Sequence, residues 1–423
     1  MPNKILFRPL TRGITRGVVG FGGGGAVPFP PATKEELFDL GARMVMVYGQ
    51  SLSLGSTGAS DVETTVSTEV DHALMFNGGT RPHNDDLSVS TGNLGSTMLN
   101  GDPTSGFVYL AESVTPRADK NFGETISTGI AVQNATTPLF FVNHGIGAQT
   151  LSQLSYQGGV GNSGQIFASQ AIALQRAKEI YDARGVAISW PWLVLAQGEA
   201  DVSGSNTSYD TDLSAFIADV NKFSLAALGD VVAQPKILQY QPLQSNDLGV
   251  VATAMIDYQG TNNYYLAGPC YQYDDVGDGT HLTSESYRRL GEYLGHKMKQ
   301  IEADSEWRPL YITSAVRSGA VITLTYNNPT GSALVFDTTR IAAQDNQGFE
   351  IGGNSVNISD VSIINNTTVE VTMATPGPCT LLYGVSTSTL DKRGNLRDSE
   401  SAVSAYNGEE LSNWACKQSV VVA

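Results

Sequence analysis

Three short segments of the sequence carry residue types that could act together in nucleophilic catalysis. The first contains Ser51, which follows the apolar run 43–48 and stands two residues after Gly49. A serine on a sharp turn after a strand can point its hydroxyl over the edge of the sheet, and the N–H groups that follow can bind an oxyanion. Alone, this pattern is a weak signal, because most serines in such places form turns or cap helices.

The second segment places a carboxylate three residues before an imidazole, at Asp278 and His281, just ahead of a helical pattern. In such a step the carboxylate can bind one ring nitrogen, which leaves the other nitrogen to accept a serine proton. The chain has only five histidines, so a chance pairing at this junction is less expected. A surface histidine without a catalytic role is the alternative.

The third segment, 196–201, gathers a side-chain amide and two carboxylates in one loop after an apolar run. Its polar residues are Gln197, Glu199 and Asp201. A solvated turn that caps the next helix is the alternative interpretation of this loop.

The order and wide spacing of these segments resemble the SGNH (GDSL-like) hydrolase superfamily, and within it the sialate O-acetylesterase branch of carbohydrate esterases. The matching motifs are GQS after the first strand, a QGExD loop and a late DGxHL, over roughly residues 40–302. The resemblance implies that Ser51 is the nucleophile, His281 the general base and Asp278 the residue that orients it. It also implies removal of acetyl groups from a carbohydrate, with no metal and no cofactor.

The same resemblance implies an oxyanion hole made by the Ser51 backbone N–H, the Gln197 side chain and a glycine N–H. The glycine-rich candidate is 144–150, in which we favour Gly147 and keep Gly145 as the alternative. The spacing of this segment departs from the double glycine followed by threonine that is usual in the branch.

Other positions near the motifs have weaker assignments. Family members usually have Asn after GQS, but this chain has Leu52, so any contact made by that Asn is missing. We interpret Gln50, Glu199 and Asp201 as residues that shape the loops behind the catalytic residues, with contact to substrate as the weaker alternative for Glu199 and Asp201.

The elements that must position these residues alternate between strands and helices. Strand-like runs lie at 43–48, 140–143, 188–196 and 236–240, and helical patterns at 166–181, 213–223 and 284–301. Such alternation predicts a parallel sheet with helices on both faces, and sites in open α/β sheets form at the carboxyl ends of strands. The resemblance implies the three-layer α/β/α sandwich of the SGNH hydrolase fold.

The chain divides into three predicted parts. Residues 1–32 are rich in Gly and Pro and predict an arm or linker. Residues 33–304 form the predicted esterase domain, which opens with a capping-box pattern, and the weakly patterned stretch 52–135 predicts insertions at its rim. Short β-like segments separated by Gly, Asn and Pro predict a C-terminal β-sandwich over residues 305–423.

Composition excludes several classes of partner. The formal net charge of -16 makes nucleic acid a poor partner, because an acidic surface repels phosphate backbones. The three cysteines include no C-x-x-C pair, which argues against a zinc site. The N-terminus has no apolar run of signal-peptide length, and no stretch of the chain has the length of an apolar membrane span. A protein that acts on outside glycans would then need another route out of the cell.

The C-terminal segments 348–351, 393–399 and 411–414 resemble the ends of esterases found in phage tails and prophages. This looser resemblance implies a virion location, attachment through the N-terminal arm and an acetylated polysaccharide of the host surface as substrate. Attachment to a virion would favour a homotrimer, whereas a free enzyme could be a monomer or dimer. The C-terminal domain could bind glycan or serve only as a structural support.

Two other functions remain open at this point. A general short-chain esterase or lipase would keep the fold and change the substrate, although the polar stretch 52–135 argues weakly against a large apolar acyl pocket. A non-catalytic glycan-binding adhesin on an esterase scaffold would require a broken triad, yet serine, aspartate and histidine are all present.

Overall fold

The computed structural model of the protein describes residues 33, 36–37, 42–55, 70–76, 107–110, 126–134, 138–156, 163–228, 234–244, 247–352, 357–386 and 392–423. The predicted N-terminal arm and much of the predicted insertion 52–135 lie outside these residues. Both hydrogen bonds of the predicted capping box are present, from Thr33 N to Glu36 Oε2 at 2.8 Å and from Glu36 N to Thr33 Oγ1 at 3.2 Å.

A seven-stranded sheet forms the centre of the first part of the chain, with the strand order β3-β2-β4-β1-β5-β6-β7. Its strands are β1 (Ala42–Gly49), β2 (Val70–Phe76), β3 (Phe107–Leu110), β4 (Leu139–Gly145), β5 (Ile188–Ala196), β6 (Lys236–Gln241) and β7 (Tyr264–Pro269). All neighbours pair in parallel except β2 and β3, which are antiparallel. The carboxyl ends of the parallel strands therefore share one edge of the sheet.

Helices cover both faces of this sheet. They are α1 (Ile126–Gln133), α2 (Leu151–Leu154), α3 (Ser163–Ala183), α4 (Glu199–Ser203), α5 (Tyr209–Leu228), α6 (Val250–Asp257) and α7 (Ser284–Ala303). Along β1, Val45 and Val47 join a hydrophobic cluster with α1 and α7, whereas Met44 and Met46 join a second cluster with α3, α5 and α6. Successive side chains of a strand point to opposite faces, so the alternation confirms the predicted three layers.

The prediction that residues 52–135 are insertions at the rim of the domain is wrong for the part of this stretch that the structure describes. Strands β2 and β3 belong to the central sheet, and helix α1 packs directly on α7. These elements are short and stand among Gly, Ser and Thr residues, so no hydrophobic period is long enough to reveal them.

The C-terminal part consists of antiparallel sheets, as the sequence predicted. A four-stranded sheet has the order β12-β13-β9-β8, a three-stranded sheet has the order β11-β14-β16, and β10 pairs with β15. The strands are β8 (Tyr311–Ser318), β9 (Val321–Asn327), β10 (Leu334–Phe336), β11 (Phe349–Ile351), β12 (Ile358–Asn365), β13 (Thr368–Met373), β14 (Cys379–Tyr383), β15 (Leu396–Asp398) and β16 (Gln418–Val422). No helix among the described residues is long and apolar enough to cross a membrane.

The C-terminal sheets pack on the α/β part through a shared core. One hydrophobic cluster contains Val45 of β1, Leu290 of α7 and Tyr383 of β14. Gln241, at the end of β6, donates to Lys417 O at 3.0 Å and accepts from Lys417 N at 2.7 Å. The predicted domain boundary at 304/305 falls between α7 and β8 and stays a prediction, because this core continues across it.

Two glycines allow α1 and α7 to approach closely. A Cβ added at Gly291 would lie 2.3 Å from Ile126 O and 2.9 Å from Gly129 Cα.

We predict that Gly291→Ala lowers the free energy of unfolding by about 1–3 kcal/mol, because the backbone of α1 cannot move aside as a flexible side chain can. Thermal and denaturant unfolding would measure the change. Gly377→Ala is the matched control, since a Cβ there meets nothing within 4 Å; equal stability of the two variants would contradict the prediction.

Candidate active site

The turn after β1 places Ser51 at the carboxyl edge of the sheet. Gly49 has a φ of +154°, and a Cβ there would lie 1.9 Å from Ala196 O of the neighbouring β5. Gln50 N donates to the same carbonyl oxygen at 3.1 Å. Only glycine allows this approach, after which the chain enters a 3-10 helix over Ser51–Leu54. The Ser51 side chain is half-buried at this edge.

Ser51, His281 and Asp278 form a continuous hydrogen-bonded array. Ser51 Oγ lies 2.8 Å from His281 Nε2, and His281 Nδ1 lies 2.7 Å from Asp278 Oδ2. A carboxylate can only accept, so this contact assigns the ring proton to Nδ1 and leaves Nε2 as the acceptor for the serine hydroxyl. The predicted residues are thus brought together with the order and distances of a catalytic triad.

The carboxyl group of Asp278 is held in its ionised form. Partial burial raises its pKa. Hydrogen bonds from the His281 ring and from the backbone N–H groups of His281 and Thr280 together lower the pKa by more than burial raises it, so the net shift is downward. The two N–H groups donate to Oδ1 at 2.8 and 2.9 Å. Asp278 is therefore a carboxylate at neutral pH, and it can stabilise an imidazolium on His281.

Gln50, the residue before Ser51, forms a buried pair with Glu199. Gln50 Nε2 donates to Glu199 Oε2 at 2.5 Å, and the Tyr240 hydroxyl donates to Glu199 Oε1 at 3.1 Å. Glu199 is 2 % exposed, and its burial raises its pKa to about 7. The predicted role of Gln50 and Glu199 in shaping the loops is consistent with these contacts.

Gln197 and Asp201 lie in a second buried network. Gln197 Nε2 donates to Asp201 Oδ2, and the Tyr209 hydroxyl donates to Gln197 Oε1 at 2.9 Å. Asp201 Oδ2 also accepts the Leu151 N–H at 2.8 Å, which ties this loop to the segment that follows β4. One Nε2 hydrogen of Gln197 binds Asp201, so a contact with an oxyanion would use the second Nε2 hydrogen. The role of Gln197 in an oxyanion hole stays a prediction.

The two glycines proposed for the oxyanion hole lie in different surroundings. Gly145 ends β4 opposite Gly49, and a Cβ there would lie 2.1 Å from Ser53 Oγ. Gly147 is exposed in the following turn, where a Cβ would meet nothing within 4 Å. No described residue accepts a hydrogen bond from the Gly147 N–H. This N–H is therefore suited to an incoming oxyanion, although the choice between the glycines stays a prediction.

Sequence reasoning missed several residues that support the site. Tyr240 contacts Glu199, and Asn143 Nδ2 donates to Ser53 O in the turn that contains Ser51. Both residues stand at the ends of predicted strands, which is the signal that could have identified them. Among the described residues, no group of three or more His, Cys, Asp or Glu is placed to hold a metal ion.

Comparison with known proteins supports the fold. No family model and no curated protein matches the sequence. A carbohydrate acetylesterase from Xanthomonas citri is similar in structure, with a TM-score of 0.56 and 13% identity over 89% of this chain and 80% of that chain. A protein from Arabidopsis thaliana matches with a TM-score of 0.40 and 12% identity, over 61% of this chain and 98% of that chain. A carbohydrate acetylesterase from Sinorhizobium meliloti matches with a TM-score of 0.33 and 14% identity, over 61% of this chain and 99% of that chain.

The match to the Xanthomonas citri structure agrees with the fold that the sequence predicted. The protein has an α/β architecture with a seven-stranded, mostly parallel sheet and C-terminal antiparallel sheets. At 13% identity, the likeness concerns the fold and leaves the roles of individual residues to the geometry described above.

The raised pKa of Glu199 predicts a pH-dependent difference between wild type and Glu199→Gln. Between roughly pH 4.5 and 7 the folded protein keeps the Glu199 proton, whereas the unfolded chain releases it. Wild-type stability therefore falls relative to the variant as the pH rises through this window, by about 3 kcal/mol in total, and the difference is constant above it.

Urea unfolding of both proteins across this pH window measures the effect. The substitution is close to isosteric, and Gln50 Oε1, which has no hydrogen-bond partner among the described residues, could turn to accept from the new amide. Stability curves that run parallel for the two proteins from pH 4.5 to 8 would show that Glu199 titrates near its ordinary pKa.

Proposed function

We propose that the protein is a serine ester hydrolase in which Ser51 is the nucleophile, His281 the general base and Asp278 the residue that orients the imidazole. The observation that carries this proposal is the array from Ser51 Oγ to His281 Nε2 at 2.8 Å and from His281 Nδ1 to Asp278 Oδ2 at 2.7 Å. A binding protein would have no need for a nucleophile, a base and a carboxylate in this order at the carboxyl edge of the sheet.

The first half of the reaction forms an acyl-enzyme. Ser51 Oγ attacks the ester carbonyl carbon while His281 Nε2 takes the hydroxyl proton, and Asp278 stabilises the resulting imidazolium. The carbonyl oxygen becomes an oxyanion, which the backbone N–H groups of Ser51 and Gly147 and the Gln197 amide would stabilise. His281 then gives its proton to the alcohol oxygen as the C–O bond breaks and the alcohol leaves.

The second half restores the enzyme. A water molecule takes the place of the alcohol, and His281 Nε2 removes one of its protons as the oxygen attacks the acyl carbon. The tetrahedral species collapses, Ser51 Oγ leaves with the proton from His281, and the carboxylic acid is released. The Asp278 side chain is 43% exposed and that of His281 is 22% exposed, so solvent has access to this part of the site.

For the substrate, we propose an acetyl ester of a carbohydrate. The motif resemblance supports this class, and the Xanthomonas citri structure with the same fold is a carbohydrate acetylesterase. The phage-tail location, the attachment through residues 1–32, the trimer and the host polysaccharide stay predictions. A general short-chain esterase is the second candidate, because the triad geometry is common to both and does not select the alcohol.

The Ser51→Ala variant should lose ester hydrolysis by several orders of magnitude, because removal of a triad member abolishes covalent catalysis. Release of p-nitrophenol from the acetate, butyrate and octanoate esters measures both the loss and the acyl preference, and wild type should prefer acetate. Ser53→Ala is the matched control in the same turn. The Ser53 hydroxyl donates to Gln50 O at 2.7 Å, so this variant should stay within roughly tenfold of wild type.

Two outcomes would count against the proposal. Activity that persists in Ser51→Ala would exclude Ser51 as the nucleophile. Equal rates on acetate and octanoate esters would favour a general esterase over an acetylesterase, after which acetylated polysaccharides would be tested for acetate release by wild type and Ser51→Ala.

A further inference from the structure

We infer that the C-terminal sheets position the catalytic loop, because Arg393 and Lys417 hold the segment 275–281 from two sides. This inference rests on the proposed function for its catalytic meaning. Both cations lie in the C-terminal part of the chain, whereas the loop that they hold follows β7 of the central sheet. They are positioning residues, since neither contacts Ser51, His281 or Asp278 through any hydrogen bond of the described structure.

Arg393 acts through Asp275. Its guanidinium donates to Tyr273 O and to Asp275 Oδ1, both at 3.2 Å. The other oxygen of Asp275, Oδ2, accepts the N–H groups of Gly277 at 3.0 Å and Gly279 at 2.8 Å. One carboxylate thus joins the arginine to the backbone on either side of Asp278.

The loop needs such external support because of its own composition. Gly277 and Gly279 flank Asp278 and have φ angles of +92° and +70°, in the region that favours glycine. Glycine loses more conformational freedom on ordering than any other residue, so fixing this segment in one conformation costs an unusually large amount of conformational entropy. Hydrogen bonds from Asp275 to both glycines oppose that freedom at the positions where it is largest.

The backbone that carries Arg393 is fixed by the C-terminal sheets. A Cβ at Gly394 would lie 2.2 Å from the Tyr383 hydroxyl, and the same hydroxyl accepts the Leu396 N–H at 2.9 Å. Asn395 N also donates to Gln347 O at 3.1 Å. Arg393 therefore extends from a well-packed surface rather than from a free loop.

Lys417 reaches the same loop through Gln244. Its Nζ donates to Leu243 O at 2.5 Å and to Gln244 O at 2.9 Å, and the residue is 1% exposed. The Gln244 side chain then donates from Nε2 to Thr280 Oγ1 at 2.6 Å. Because Thr280 lies between Asp278 and His281, this second path ends beside the triad.

The experiment compares Arg393→Gln with a matched control, Arg397→Gln. Arg393 and Asp275 have side chains that are 17% and 15% exposed, and Arg397 and its partner Asp337 are 16% and 9% exposed. Both pairs are partly buried, but the Arg397 pair lies wholly in the C-terminal part. Asp275→Asn tests the same contact from the loop side, so the inference remains testable if one variant folds poorly.

The first readout is amide hydrogen exchange of the full-length protein over residues 275–281, which needs no activity. Arg393→Gln and Asp275→Asn should exchange at least roughly tenfold faster than wild type in this segment, and Arg397→Gln should match wild type there. Exchange rates over residues 275–281 that are unchanged in both Arg393→Gln and Asp275→Asn would overturn the inference.

The second readout is hydrolysis of p-nitrophenyl acetate in a double-mutant cycle with Asp278→Asn. Arg393→Gln should lower kcat roughly tenfold to a hundredfold with a smaller change in KM, and Arg393→Lys should restore part of the loss. In the Asp278→Asn variant, the additional change Arg393→Gln should lower kcat by less than roughly threefold, because the carboxylate that the loop positions has already been removed.

The outcomes separate the two claims. An equal loss from Arg393→Gln on both backgrounds would overturn the positioning role, since a general loss of stability is additive. If wild type hydrolyses no ester, the proposed function fails, while hydrogen exchange still decides whether Arg393 holds the loop.

Discussion

The site depends on the contact between the backbones of β1 and β5 at the end of the sheet. Gly49 lies opposite both Ala196 and Gly145, and any side chain at position 49 would collide with Ala196 O. Hydrogen bonds from Gln50 N to Ala196 O and from Ile146 N to Gly49 O fix the turn on both sides. The position of Ser51 at the carboxyl edge of the sheet follows from this close approach.

The pKa values of two carboxyl groups near that turn are shifted in opposite directions by their surroundings. Asp278 is partly exposed and receives three hydrogen bonds, so its pKa is lowered and it carries the charge that His281 needs. Glu199 is buried, and its pKa is raised to about 7. Burial disfavours the charged form of Glu199, so its protonated form predominates below about pH 7.

The sequence predicted those parts of the molecule that have strong local signals. Strands β1, β4, β5 and β6 are mostly apolar because both of their faces are buried, and the motifs that contain Ser51, Asp278 and His281 identified the residues that the structure brings together. Strands β2 and β3 were missed because they are short segments in a stretch without a hydrophobic period. Arg393 and Asp275 lie 118 positions apart, and no local pattern reveals a contact at that separation.

The most direct test of the account is to identify the acyl-enzyme by mass spectrometry. Wild type would be mixed with p-nitrophenyl acetate, quenched with acid during turnover and digested, and its peptides searched for an added acetyl group. The account predicts one acetyl group on the peptide that contains Ser51, absent from Ser51→Ala, because the acid quench traps the intermediate before water removes it. Turnover by wild type with the acetyl group on another residue would contradict the assignment of Ser51 as the nucleophile.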